Sequence, residues 1–98
     1  MNKNEILKII KSHINEIKKY GIDKIGIFGS VVRNENKISS DLDILINFIH
    51  GEKNIDNYMD LKFYLEKMLN GIKIDLVIEE SLKEKIKPYI YNEIIYAT

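Results

Sequence analysis

Residues 41–48 read Asp-Leu-Asp-Ile-Leu-Ile-Asn-Phe, and a period of two is the period of a β-strand. Extended chain over Leu42–Phe48 puts Leu42, Ile44, Ile46 and Phe48 on one face and Asp41, Asp43, Leu45 and Asn47 on the other. Ile72–Ile78 repeats the pattern, with Ile72, Ile74, Leu76 and Ile78 opposite Lys73, Asp75, Val77 and Glu79. Strands with one apolar face need a covering layer, and the flanking segments offer one. Ile6, Ile10, Ile14 and Ile17, with Leu7 and Ile9, recur at helical spacing from Asn4 to Lys19, and Gly21 ends that helix. Lys24–Phe28 reads as a short strand running into Gly29-Ser30, Val31–Glu35 as one or two helical turns, and 36–40 as a polar loop. After a loop over 50–55, Asp56 is placed to cap a helix reaching about Leu69, with Met59, Leu61, Phe63, Leu65, Met68 and Leu69 inward and Asn70-Gly71 closing it. The segment from Ser81 to Ala97 reads as helix in two pieces, broken or restarted near Lys87 by Pro88. The alternation is that of an α/β chain, and 98 residues leave room for one compact domain, 1–98.

The chemistry concentrates on the polar faces. Two carboxylates two residues apart on a strand stand roughly 6 to 7 Å apart. At an effective dielectric near 20 they repel by about 2 to 3 kcal/mol, a cost that a divalent cation reverses. Asp75 is a third acid in an apolar run, poorly explained unless a cation meets it. Gly29 lets the backbone approach a phosphate, Ser30 adds a hydroxyl, and the turn that follows aims N–H groups the same way. Three acids beside an anion-binding turn point to metal-dependent nucleotide chemistry. No P-loop lysine motif is present, and Gly26 with Gly29 falls short of a dinucleotide-binding fingerprint.

Composition narrows the partners. Fifteen basic residues balance fifteen acidic ones, so no global field draws the chain to nucleic acid. There is no cysteine, no signal-peptide pattern and no apolar run long enough for a bilayer, which makes cytoplasmic placement, without a membrane, the expectation. Arg33 is the one arginine, four residues after Gly29. His13 and His50 have no ligand or triad spacing around them and read as surface residues; Lys83, Lys85 and Lys87 interleave with Glu79, Glu80 and Glu84 and read as a solvated helical face. Tyr89, Tyr91 and Tyr96 read as core or interface.

Gly29-Ser30, ten intervening residues, Asp41-x-Asp43 and a later strand aspartate together resemble the nucleotidyltransferase superfamily that includes DNA polymerase beta. The short length resembles its minimal nucleotidyltransferase (MNT) group. The resemblance runs from the first helix through Asp75 and departs from the group's pattern at Val32, where alanine is usual, and at Asn34, where glycine is frequent. Asn tolerates a left-handed backbone, so the turn can still form.

The resemblance implies the polymerase beta-like nucleotidyltransferase fold, α/β (α+β), a small mixed β-sheet with helices packed mainly on one face. It implies that Asp41 and Asp43 hold two Mg²⁺ ions, that Asp75 completes one metal site and helps deprotonate the attacking hydroxyl, and that Gly29, Ser30 and Arg33 bind the triphosphate of ATP. The minimal group resembles antitoxins paired with a HEPN-domain RNase toxin, and the implied activity is transfer of AMP from ATP to a tyrosine of that toxin. Two other functions fit the same residues: an antitoxin that acts by binding alone, and a nucleotidyltransferase for a small molecule such as an aminoglycoside.

Overall fold

The computed structural model describes residues 1–98. The chain runs α1 (Lys3–Ser12), α2 (Ile14–Lys18), β1 (Ile22–Phe28), β2 (Leu42–Phe48), α3 (Ile55–Met68), β3 (Ile74–Ile78), a 3-10 turn (Glu79–Ser81), α4 (Lys87–Glu93) and β4 (Ile95–Tyr96). The four strands form one mixed sheet in the order β3-β2-β1-β4. β1 is antiparallel to both β2 and β4, and β2 is parallel to β3.

The two apolar strand faces meet the helices as the alternation requires. Leu42, Ile44 and Ile46 of β2 and Ile74 and Leu76 of β3 join Ile6, Leu7 and Ile10 of α1, Ile17 of α2 and Leu61 and Leu65 of α3 in the main core. Ile22 and Ile25 of β1, three apart, are both fully buried on this side. The register shift between Ile22 and Lys24 makes that possible, because a bulge resets the side-chain alternation.

Several expectations from the sequence are corrected. The first helix breaks at His13, whose ring bonds back to the Ile9 carbonyl at 2.9 Å, and it begins at a capping box in which Asn2 accepts from the Glu5 N–H. The second long helix is capped by Asn54, which accepts from the Asn57 N–H, and not by Asp56, which lies in its first turn. Its inward stripe is Tyr58, Leu61, Leu65 and Met68, so Phe63, about half a turn round the helix from that stripe, is 59% exposed. Strand β3 starts at Ile74, two residues later than its apolar pattern.

The largest difference is at the end of the chain. Residues 83–86 form turns, not a helical lysine face; α4 starts at Lys87 with Pro88 in its first turn, where the missing N–H is not needed. The last residues then pair with β1, Gly26 opposite Tyr96 and Ile27 opposite Ile95. Gly26 makes room for that return, since a Cβ there would stand 3.0 Å from the Ile94 side chain and the Ile95 carbonyl. α4 therefore lies on the sheet face opposite the other three helices, closing a small second core of Phe28, Leu45 and Ile90, with Val77, Leu82, Ile94 and Tyr96 around it.

Candidate active site

The same register that builds the sheet assembles the acids. Asp43 lies directly opposite Phe28 on β1 and directly opposite Asp75 on β3. The end of β1 and the starts of β2 and β3 thus converge at one end of the sheet, on the face that also carries α4. Asp43 is half-buried there, while Asp41 and Asp75 are exposed. Burial pushes the Asp43 carboxyl up to about 6, the negative charges of Asp75 and Asp41 add to the rise, and Arg33 opposes it. The three carboxylates share a face without closing into a preformed three-ligand cage.

Gly29 follows β1 in a left-handed conformation, φ +80°, and no side chain fits there: a Cβ would stand 2.0 Å from Oδ2 of Asp43. The turn behind it is a single hydrogen-bonded turn, the shorter of the one or two turns the sequence predicts, in which the Arg33 N–H donates to the Gly29 carbonyl at 3.2 Å. Asn34 N–H donates to the Val31 carbonyl at 3.2 Å and Glu35 N–H to the Ser30 carbonyl at 2.8 Å, the bond pair of a Schellman cap. Asn34 supplies the required left-handed residue, with φ 60°. Val32, the other departure from the minimal pattern, is half-buried against the main core.

One participant has no signal in the motif. The carboxylate of Glu93, at the end of α4, accepts from the Gly29 N–H and from Nη1 of Arg33, at 2.8 Å to Oε1 and 3.1 Å to Oε2. It holds the Arg33 guanidinium above its ordinary pKa, with a smaller contribution from Glu35, whose Oε2 lies 3.5 Å from Nε. Glu93 lies 50 residues beyond Asp43 in a segment of ordinary helical composition, so only the fold of the C-terminal segment brings it in. A cavity of about 280 Å³ opens here, lined by Gly29, Arg33, Asp43, Glu93 and, on its apolar side, Ile86 and Tyr89. Tyr89 is 76% exposed. Tyr91 instead donates to Oε2 of Glu79 at 2.8 Å, and Tyr96 packs into the second core. His13 and His50 are exposed, away from this cluster.

The sequence profile of the nucleotidyltransferase domain matches residues 5–98. The chain belongs to the nucleotidyltransferase family. It is 39% identical over 93 residues to the protein adenylyltransferase MntA of Thermococcus cleftensis, a match covering 94% of this chain and 92% of that protein. A Methanocaldococcus jannaschii protein also named for adenylyltransferase activity is 40% identical over 95 residues, 95% of each chain. Among solved structures, one named as a minimal nucleotidyltransferase superposes with a TM-score of 0.82 at 28% identity, over 97% of this chain and 95% of that one. A chain of the Shewanella oneidensis complex of tri-AMPylated HEPN toxin with MNT antitoxin gives 0.65 at 16% identity, over 94% and 71%. At that identity the likeness is one of fold. The four-stranded mixed sheet is thus the sheet of a minimal nucleotidyltransferase, and this nucleotidyltransferase carries its acids at one end of it.

Proposed function

We propose that this nucleotidyltransferase is an antitoxin that acts as a protein adenylyltransferase, moving AMP from ATP onto a tyrosine of a HEPN RNase toxin. The relative from Thermococcus cleftensis is named a protein adenylyltransferase, and the toxin in the Shewanella oneidensis complex is AMPylated. The observation that carries the reading is Asp43, half-buried between the Gly29 turn and Asp75 with its carboxyl raised to about 6. A carboxylate destabilised by burial and by two like charges is one that a cation stabilises.

The donor set fits magnesium: three carboxylates, all oxygen, with open positions left for substrate phosphates. Asp41 and Asp43 would hold two Mg²⁺ ions and Asp75 would complete one of the sites. Bound there, magnesium would neutralise the triphosphate and polarise the α-phosphorus. The Gly29 N–H, the Ser30 hydroxyl and Arg33 would hold the phosphates in line. The tyrosine oxygen attacks the α-phosphorus and forms the new O–P bond. The bond from that phosphorus to the bridging oxygen breaks, pyrophosphate leaves, and the phenolic proton passes to Asp75. Ile86 and Tyr89, exposed on the apolar side of the cavity, offer the acceptor segment a surface to rest on.

The domain 1–98 supplies this whole catalytic set, with the toxin bringing its own binding surface. No helix is long and apolar enough to cross a membrane, and we place the reaction in the cytoplasm, where ATP is held. Co-expression with a HEPN toxin followed by mass spectrometry of the toxin tests the reading. AMP on a toxin tyrosine, absent with the Asp41→Asn/Asp43→Asn variant, is the expected result. A silenced but unmodified toxin would replace it with inhibition by binding alone.

A further inference from the structure

We propose that Glu93 is an internal anion that occupies the phosphate cradle and must be displaced before a nucleotide can enter. The inference rests on the reading of the Gly29 turn as the triphosphate site. Two of the three groups assigned to the phosphates are already engaged by one carboxylate, leaving only the Ser30 hydroxyl outside its reach: the Gly29 N–H donates to Oε2, and Nη1 of Arg33 reaches both oxygens, at 2.8 and 3.1 Å. A carboxylate held by a backbone N–H and a guanidinium uses the donors that a phosphate O–P–O would use. Arg33 is the only arginine in the chain. While Glu93 holds it, Arg33 cannot offer the same Nη1 protons to a ligand.

The position of Glu93 suits release as well as closure. It is the last residue of α4, and Ile94 after it is already extended and leads into β4. The side chain can swing out of the cavity while the strand pairing of Ile95 and Tyr96 with β1 keeps the backbone in place. A triphosphate carries more charge and more acceptor oxygens than one carboxylate, so it wins the competition at sufficient concentration. With the cradle empty of nucleotide, Glu93 neutralises Arg33. The other role open to such a residue is that of a brace, holding Arg33 in its working orientation while the nucleotide is bound. The two roles predict opposite signs for one substitution, because removing a competitor tightens nucleotide binding and removing a brace weakens it.

The test is calorimetric titration of ATP with Mg²⁺ into the wild type, Glu93→Gln and Glu93→Ala, with the Gly29 amide resonance followed by NMR in the same samples. Glutamine keeps the shape and removes the charge, and alanine vacates the cradle. The expected result is that both variants bind ATP about three- to tenfold more tightly than the wild type, the scale of the net contribution of one ordinary hydrogen bond. The Gly29 amide resonance is expected to move on substitution even before ATP is added. Equal or weaker binding by both variants, with Gly29 responding to ATP in all three proteins, overturns the displacement and leaves the nucleotide site standing. A Gly29 amide that ignores ATP in all three overturns the nucleotide site, and the displacement with it.

Discussion

Asp43 determines the behaviour of the site at the level of single residues. Its carboxyl is raised from an ordinary 3.8 to about 6, so the folded state holds the proton more tightly than the unfolded chain does. The resulting stability is fully present below about 4 and is lost as the pH rises through 6. The difference corresponds to about 3 kcal/mol at the limit, and screening of a half-open carboxylate lowers it to about 1 kcal/mol. Asp43→Asn is therefore expected to raise the melting temperature at pH 7.5 by about 4 to 8 °C, with the gain gone by pH 4. Thermal melts of both proteins across that range check it. Gly29→Ala is expected to act in the other direction: a Cβ at φ +80° and 2.0 Å from Asp43 forces the turn and the carboxylate apart. Denaturant melts should show a loss of about 1 to 2 kcal/mol or more, with ATP binding lost as well. The acids and the glycine are legible in the sequence because strand alternation and a turn leave local patterns. Glu93 is not, because its meaning comes from a contact 64 residues away in sequence.

Individual elements show the same division between local and tertiary causes. The turn after Gly29 closes on Asn34 at φ 60°, and the sequence allows for this because Asn accepts the left-handed region. Asn34→Gly is expected to preserve stability within a few tenths of a kcal/mol, and Asn34→Val to lose about 1 to 2 kcal/mol, since a β-branched residue resists that backbone; urea unfolding of the three proteins compares them directly. Helix α3 ends within a residue of the expected place but is capped two residues earlier, at Asn54 and not Asp56, and Phe63 faces outward because that cap and the contact of Tyr58 with the Leu76 carbonyl, 2.7 Å, set the helix rotation. Strand β4 is two residues of an apolar stretch, Ile95–Tyr96. Nothing local separates it from a helix end, and the pairing with β1 decides its conformation.

For the molecule as a whole, one end of the sheet is built for charge and the rest for packing. The α/β class and the main core follow from three apolar faces that the sequence displays, those of the first helix, β2 and β3. The second core is less legible, because Phe28, Leu45 and Ile90 come from three distant segments that only the folded chain joins. The cost of gathering the acids also predicts how the molecule responds to its ligand. Mg²⁺ is expected to raise the melting temperature of the wild type at pH 7.5, with little effect on Asp41→Asn/Asp43→Asn, because binding to the folded state alone is stabilising. The response should fade as the pH falls below about 6, where Asp43 takes up a proton in competition with the metal.

In the proposed reaction AMP, and not another part of ATP, moves to the partner. Purified protein, Mg²⁺ and a HEPN toxin would be incubated with ATP labelled at the α-phosphate or, in parallel, at the γ-phosphate. Label from the α position on a toxin tyrosine, with γ label leaving as pyrophosphate and neither seen with Asp41→Asn/Asp43→Asn, is the predicted result. Transfer of the γ label, or an α label that persists in the double variant, would contradict it.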